Sequence, residues 1–510
     1  MLAKAFSFGL NGLEAYPVTI EVDVARGLPA MNIVGLPDNA IKESKERVRA
    51  AIRNAGFDFP CGRITINLAP ADTKKEGPSF DLAIALGIMA AAETIPAATL
   101  RRFAILGELS LSGQIKTVSG VLPVAFAVPK GDFEGIIIPR ANAQEAVLAR
   151  TVPAYPFRHL NEVIAFLQAP EQVTAFTQND PAAQTAKEHP GDDLQDVKGH
   201  SFAKRGLEVA AAGGHNCLLI GPPGSGKTML ARRFPSILPS MTREESLEVS
   251  RIYSVAEPGT HAATLIQRRP FRSPHHTASH VALVGGGTDP RPGEVTLAHH
   301  GVLFLDEFPE FSRQALESLR QPMEDGFVTV ARAAKTLRFP AKFTLLAAMN
   351  PCPCGYLTDR RRPCRCSGNT IQKYLNKVSG PLLDRIDIHL EIPALRTTEL
   401  LHTPPGESSR TIRERIEAAR QRQLARLKPD GIFANAQMTH AQTRKFCPLE
   451  KEESELLKAA ITELNLSARA YDKILRVSRT IADVDGSKEI MTEHLAEAIQ
   501  YRSLDKGSRG

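Results

Sequence analysis

The octapeptide Gly221-Pro222-Pro223-Gly224-Ser225-Gly226-Lys227-Thr228 constrains this chain more than any other feature. An apolar run, Cys217-Leu218-Leu219-Ile220, stops directly before it, and a helix-compatible run starts directly after it. Strand, tight turn and helix in that order bring backbone N–H groups and a helix N-terminus to one point, which suits a polyphosphate. Gly221, Gly224 and Gly226 lack the Cβ that would hold the backbone away from phosphate oxygen, and Pro222, Pro223 and Ser225 complete the turn. Lys227 adds a point charge for the outer phosphates, and Thr228 offers a hydroxyl to Mg²⁺. ATP and Mg²⁺ are the expected cofactors. A glycine-rich turn that binds nothing would not need strand, loop and helix in this sequence.

A second apolar run, Gly301-Val302-Leu303-Phe304-Leu305, ends in Asp306-Glu307. Such a run fits a strand buried on both faces of a parallel sheet, and ligands bind at the carboxyl ends of such strands. Asp306 is therefore expected as a Mg²⁺ partner and Glu307 as the base that polarises an attacking water. A helix N-cap pair would also place acids here, but would not account for the loop upstream.

At 510 residues the chain has room for about three domains. Its 43% hydrophobic and 23% charged residues permit proper cores and exclude a mostly disordered chain. The net charge of +7 favours an anionic partner without identifying one. The first ten residues lack a signal-peptide core, and the longest apolar stretch, Leu82 to Ala92, is too short for a bilayer. A cytoplasmic protein with no membrane partner is expected. Seven cysteines, four of them in one short segment, argue against a secreted disulfide framework.

Residues 1–169 alternate strand-like pieces (Val18 to Val24, Gly62 to Leu68) with helix-like ones (Lys42 to Asn54, Asp81 to Ala92) and read as one α/β domain. Residues 170–193 are polar, with Pro181 and Pro190, and read as a linker. The stretch Lys74-Lys75-Glu76-Gly77-Pro78-Ser79, with Leu106 to Gly113 downstream, resembles the proteolytic domain of the Lon family. The resemblance gives Ser79 the nucleophile's place, whereas Pro123 stands where the family's lysine base would be. A serine without a base is a poor nucleophile, so the domain is expected to keep the fold without the protease, Ser79 remaining as an N-cap or turn residue.

Asp196 to Gly214, the phosphate loop, Asp306-Glu307, Ala347-Ala348-Met349-Asn350-Pro351-Cys352-Pro353-Cys354-Gly355 and Leu382-Leu383-Asp384-Arg385 resemble the magnesium-chelatase-like branch of the AAA+ ATPases. The resemblance covers nearly the whole chain. It implies a Lon-like α/β domain (1–169), an AAA+ core with a parallel sheet flanked by helices (194–396) and a C-terminal helical lid (397–510). It also implies a homo-hexameric ring motor acting on single-stranded, double-stranded or branched DNA, specifically a helicase for branch migration in transformation and recombination. Asn350 takes the first sensor's place between Glu307 and the γ-phosphate. Arg385 takes that of the finger contributed to a neighbouring subunit, with a salt bridge to Asp384 or Asp387 as the plain alternative. Arg469 takes that of a second sensor carried by the lid; a solvated arginine is its alternative.

Residues 257–300, with Arg272-Ser273-Pro274-His275-His276-Thr277, are too long and irregular for a plain connection; in relatives this region is an insert reaching the ring's pore. Its histidines, including His299 and His300, lack carboxylates or thiols at ligand spacing and read as neutral loop residues. Cys352-Pro353-Cys354 and Cys364-Arg365-Cys366 suit structural Zn²⁺, with unligated thiols as the alternative. Residues 328–339 form two alternating runs around a small-residue tip, a β-hairpin that would carry Arg332, Lys335 and Arg338 to DNA phosphates; ordinary surface charge is the alternative. The basic residues of the helix expected over 408–428 read as a solvated face. Two other classes share these features: an ATPase subunit that drives Mg²⁺ insertion into a porphyrin, and an ATP-dependent chaperone or protease-like remodeller.

Overall fold

Each part of the chain has a large hydrophobic core of its own. The computed structural model describes residues 2–131, 133–177, 193–257, 265–287, 290–332, 335–359, 361–395, 404–464 and 466–502. It divides into one unit of Met1–Ala186 with Arg243–Gln267 and another of Lys187–Thr242 with Arg268–Gly510. Of the stretch 170–193 expected as a linker, residues 178–192 lie outside the described residues, while Pro170–Gln172 form a helical turn and Phe176 N donates to Ala154 O at 2.8 Å.

The first unit is built on strands β1 (Leu2–Asn11), β2 (Glu14–Ala25), β3 (Ala30–Val34), β4 (Arg63–Ala69), β5 (Phe103–Ile105), β6 (Gly135–Pro139) and β7 (Ala154–Phe157). They form a mixed seven-stranded sheet in the order β3-β4-β2-β1-β5-β6-β7. Val18, Ile20 and Val22 alternate inward on β2, as the period-2 pattern requires. Both expected helices form, over Asn39–Asn54 and Asp81–Ala91, and every residue of the second is buried. Asp81 does not cap it. Its carboxylate is held by Arg47 Nε at 2.8 Å, by the Ser44 hydroxyl and by Leu109 N at 3.3 Å.

The helix Arg243–Ala256 lies in sequence between the phosphate loop and the acidic strand, yet it belongs to this first unit. Arg251 donates to Leu13 O at 3.1 Å, Arg243 to Leu148 O at 3.3 Å, and Gly120 N to Ser254 O at 3.0 Å. The Ser254 hydroxyl donates to buried Glu145, which also accepts from Leu122 N at 3.0 Å and Asn142 Nδ2 at 2.8 Å.

In the second unit, β8 (Cys217–Ile220), β9 (Phe271–Arg272), β10 (Val302–Leu305), β11 (Phe327–Arg332), β12 (Lys335–Pro340), β13 (Thr344–Met349) and β14 (Ile388–Glu391) follow one another. Five of them make a parallel sheet in the order β9-β10-β13-β8-β14, its three inner strands largely buried and the edge strand β9 half-buried. β11 and β12 form a separate antiparallel hairpin in the register Phe327↔Pro340 to Arg332↔Lys335. The expected helix stop is present: Ser201–Gly213 ends at Gly214, whose φ of 71° is left-handed.

The C-terminal part is helical, over Ser409–Leu427, His440–Phe446, Lys451–Leu464, Ala468–Asp485 and Thr492–Gln500. The first of these corrects an expectation in part: Arg410 and Arg422 are exposed, but four other arginines are not a solvated face. Arg413 donates to Ser236 O at 2.9 Å, Arg415 to Glu208 at 2.7 Å, Arg420 to Ala211 O at 3.2 Å and Arg426 to Asp483 at 2.6 Å. Two of these partners, Ser236 O and Ala211 O, are carbonyls at helix ends, which need donors. The cations therefore fasten helix to helix. Among the described residues, no helix is long and apolar enough to cross a membrane.

Candidate functional site

The order of the parallel sheet brings the motifs to one edge. β8, β10 and β13 are neighbours and end at Ile220, Leu305 and Met349, so the phosphate loop, Asp306-Glu307 and Asn350 all emerge together. In the loop, Gly224 and Gly226 have φ of 73° and 94°, backbone that only glycine adopts without strain. Gly221 is needed for another reason: a Cβ there would lie 2.1 Å from Ile392 O.

Lys227 opens the helix Lys227–Ile237, and its Nζ bonds to Gly221 O at 2.7 Å, Pro222 O at 2.9 Å and Asn350 Oδ1 at 3.1 Å. Burial lowers its pKa, against the attraction of Asp306. Thr228 Oγ1 donates to Asp306 Oδ2 at 2.7 Å. A hydroxyl and a carboxylate so close fit adjacent corners of a Mg²⁺ octahedron, whose ligand oxygens stand about 3.0 Å apart for bonds of about 2.1 Å. Ser225 Oγ is buried without a partner among the described residues, as suits a loop that receives oxygen atoms.

Glu307 occupies a left-handed backbone position, φ 52°, held by its own N–H on Asp306 Oδ1 at 2.9 Å. Its Oε2 lies 2.9 Å from His276 Nδ1. Sequence reasoning missed this histidine. The only hint was its position four residues beyond Arg272, which ends β9, the strand paired with β10.

The four cysteines come together, their Sγ atoms all within 4.8 Å of one another. The separations Cys352–Cys354, Cys352–Cys364 and Cys354–Cys364 are 3.3, 3.7 and 3.6 Å. Tetrahedral zinc with bonds of about 2.3 Å requires sulfur atoms about 3.8 Å apart, so the donor set fits. The cluster abuts the phosphate loop: a Cβ on Gly355, φ 85°, would meet Pro223 Cδ at 2.5 Å. Beside it, the Asn350 backbone hydrogen-bonds Tyr374, whose phenol is pushed up to about 12 by burial and then by Glu310.

The remaining residues stand elsewhere. β14 runs parallel to β8 in the register Cys217↔Ile388, so Arg385, just before β14, lies at the sheet edge opposite the loop. It pairs with Glu324 and with Pro381 O rather than with Asp384 or Asp387. Glu324 lies far away in sequence, which is why spacing did not reveal it. Arg469 is exposed in the first turn of Ala468–Asp485, where Ser467 Oγ accepts from Ala470 N as the cap. On the hairpin, Val328, Val330, Leu337 and Phe339 are buried, while Arg338 is exposed with its guanidinium 3.3 Å from the Phe327 ring centre. The backbone pairs Arg332 with Lys335; their side chains and the tip, 333–334, lie outside the described residues.

A parallel sheet carrying a phosphate loop, an acidic strand end and, on the strand between them, a terminal asparagine is the architecture of an AAA+ ATPase core, here of the magnesium-chelatase-like class. Family models agree along the chain: "Magnesium chelatase, subunit ChlI" matches residues 193–400, "Subunit ChlI of Mg-chelatase" 20–142, and "Magnesium chelatase, subunit ChlI C-terminal" 406–502. The chain is 44% identical to the competence protein ComM of Haemophilus influenzae, over 99% of this chain and 98% of that one. It is also 44% identical to YifB of Salmonella typhimurium, over 97% of this chain and 96% of that one. A Lon protease of Rhizobium meliloti matches at 28% identity over 36% of this chain and 24% of the protease. The chain belongs to the ComM/YifB family of magnesium-chelatase-like AAA+ ATPases, for which ATP and Mg²⁺ are the expected ligands of this site.

Proposed function

We propose that the protein is an ATP-hydrolysing ring motor that moves DNA strands, a branch-migration helicase serving transformation and recombination. The observation that carries the hydrolytic part is the convergence of Lys227, Thr228, Asp306, Glu307 and Asn350 at one sheet edge. Lys227 and the loop amides hold phosphate oxygens, Thr228 and Asp306 hold Mg²⁺, and Glu307 takes the proton of the attacking water. Asn350, already beside Lys227, orients the reacting groups. Four cysteine thiolates hold zinc and brace the segment after Asn350 against Pro223.

Arg385 stands at the far edge of the sheet from its own loop, which supports a ring in which it reaches a neighbour's nucleotide. Arg469 serves that same nucleotide. The DNA part rests on the hairpin and on the competence role named for the Haemophilus relative. Arg332, Lys335 and Arg338, repeated around a ring, contact phosphates without reading bases.

A labelled three-stranded DNA junction, incubated with the protein and ATP, tests this. Strand displacement that needs ATP and is absent from the Glu307→Gln protein is expected. Arg332→Ala with Lys335→Ala should weaken DNA binding equally across sequences and flatten its salt dependence. No displacement, together with ATPase stimulation by porphyrin-binding partner subunits, would move the assignment to the chelatase class.

A further inference from the structure

A buried ion pair joins the segment of Arg385 to the helix of Arg469. Asp387, two residues after Arg385, has Oδ1 3.3 Å from Lys473 Nζ, and both side chains are buried. Lys473 stands one turn after Arg469 on Ala468–Asp485. The same ammonium donates to Ile386 O at 3.1 Å, and Arg502 Nη1 reaches that carbonyl at 2.6 Å. The other carboxylate oxygen of Asp387 accepts from Asn216 N at 3.2 Å and lies 3.5 Å from His215 Nδ1. Two turns along the helix, Thr480 Oγ1 is 2.8 Å from His215 Nε2.

Asn216 extends the connection to both sides. Its Nδ2 donates to Arg385 O at 3.2 Å, and its Oδ1 accepts from Leu345 N at 2.8 Å, near the start of the strand that leads to Asn350. The backbone of Arg385 is thus tied down, while its guanidinium need only exchange Glu324 for another anion.

Stability alone does not account for this arrangement. Burial disfavours both charges; it brings Lys473 down to about 8, while the Lys473 ammonium and then His215 hold Asp387 well below the carboxylate range. An apolar pair of similar volume is often as stable as a buried ion pair or more so, and in some proteins buried charged groups are kept because they fix geometry.

We propose that the Asp387–Lys473 pair is a positioning clamp that holds Arg385 and Arg469 as one surface, so that both engage a neighbouring subunit's nucleotide together. This rests on the proposed ring function, in which the two arginines act across subunits. Neither clamp residue is catalytic; each acts through an arginine.

The test uses the full chain, with folding and assembly checked, and compares ATP affinity with kcat. Asp387→Asn combined with Lys473→Met removes both charges of the pair, so neither member is left as a lone buried charge. It is expected to keep ATP affinity within about twofold, since its own phosphate loop is untouched, while kcat falls about tenfold or more. Lys473→Arg, which keeps the charge, should retain kcat within about threefold, a rescue that a volume effect alone would not give. In the unclamped background, Arg385→Ala and Arg469→Ala should cost little more, because residues that act as a unit are non-additive.

A folded, assembled double variant with kcat near the parent's, in a protein where Arg385→Ala and Arg469→Ala are each damaging, overturns the clamp. If those two single variants are harmless, the cross-subunit reading itself has failed. If the double variant does not fold, Thr480→Val decides; it cuts the His215 tether together with the Thr480 hydroxyl's bonds to Asn435 Nδ2 and Arg476 O. A lower kcat at unchanged ATP affinity supports the clamp, and an unchanged kcat overturns it.

Discussion

The Ser79 turn and the phosphate loop are both short Gly-Pro segments that lead into a helix, and they differ in what surrounds them. Ser79 sits in the single turn Pro78–Phe80, its carbonyl accepting from Gly107 N at 2.9 Å. The helix that follows the later glycine, Val121–Ala127, reads Val-Leu-Pro-Val-Ala-Phe-Ala and has no ionisable side chain, with Pro123 buried inside it. That helix offers no base. In the phosphate loop, by contrast, Lys227 meets Asn350 and Thr228 meets Asp306 across long stretches of sequence. A motif makes a site only where the fold delivers its partners.

The largest effects should break the phosphate site. Lys227→Ala removes the charge that sits among the loop carbonyls and Asn350, and nucleotide binding should be lost in a fluorescent-ATP titration. Glu307→Gln keeps that charge and should bind ATP while kcat falls about 10²-fold or more, the usual worth of a positioned base. Normal turnover by Glu307→Gln would remove Glu307 from the chemistry. His276 adds a finer contrast. If it restrains Glu307, His276→Ala should change kcat severalfold in either direction and leave ATP affinity alone; an unchanged kcat makes the 2.9 Å contact incidental.

The zinc cluster gives the next effect. Protein purified without chelator should carry about one zinc per chain, the content of a closed four-thiolate site, and Cys354→Ser with Cys364→Ser should lose it. The loop would then loosen against Pro223, so a lower melting temperature and weaker ATP binding should accompany the loss. Zinc well below one per chain in the parent would leave the sulfur atoms as unligated thiols.

How legible all this was depends on the range of the contacts. The phosphate loop, the acid pair and Asn350 each directly follow a strand, and the hairpin pairs Phe327–Arg332 with Lys335–Pro340, all of them local patterns. The Cys352 and Cys364 pairs were legible as a group, but their seat on Pro223 depends on Gly355 packing beside a loop distant in sequence. The helix Arg243–Ala256 has an ordinary amphipathic pattern, and nothing local says that Leu13, Gly120, Glu145 and Leu148 hold it. The arginines of Ser409–Leu427 misled for the same reason, because a cation that bonds a distant carbonyl looks like a cation in water. Strand β1 was overlooked because its inward residues, Ala3 and Ala5, are small and give little periodic signal.

The two units should also answer acid differently. In the first unit, burial raises the pKa of Asp81 and of Glu145, despite their hydrogen bonds. Their folded forms bind protons more readily than the unfolded chain does, so each favours the folded first unit increasingly as pH falls through its raised folded pKa to the ordinary carboxylate value of about 4. Asp387 in the second unit is held low, so its contribution is present above the ordinary carboxylate pKa of about 3.9 and is lost as pH falls below that. Each group contributes at most about 1.4 kcal/mol per pH unit. Hydrogen exchange, corrected for intrinsic rates, should show protection of Asp81–Ala91 rising as pH falls from neutral towards the ordinary carboxylate pKa of about 4 and protection of Ile388–Glu391 dropping only in stronger acid. Parallel behaviour of the two segments would contradict the opposite environments of these acids.

The smallest expected effect is the one that closes the comparison. Ser79→Ala removes a hydroxyl for which no hydrogen bond was found among the described residues, from a turn held by its backbone. Surface changes of that kind stay within about 0.5 kcal/mol. ATP hydrolysis, DNA binding and melting temperature should all match the parent, and neither protein should cleave an unfolded polypeptide such as casein in the presence of ATP. The experiment is sensitive because a serine nucleophile is all or nothing: without it, acyl transfer falls by orders of magnitude. ATP-dependent cleavage by the parent that vanishes in Ser79→Ala would mean a base reaches Ser79 from outside the helix Val121–Ala127. Buried Lys75, four residues upstream and bonded to Pro70 O, would be the first side chain to replace in that case.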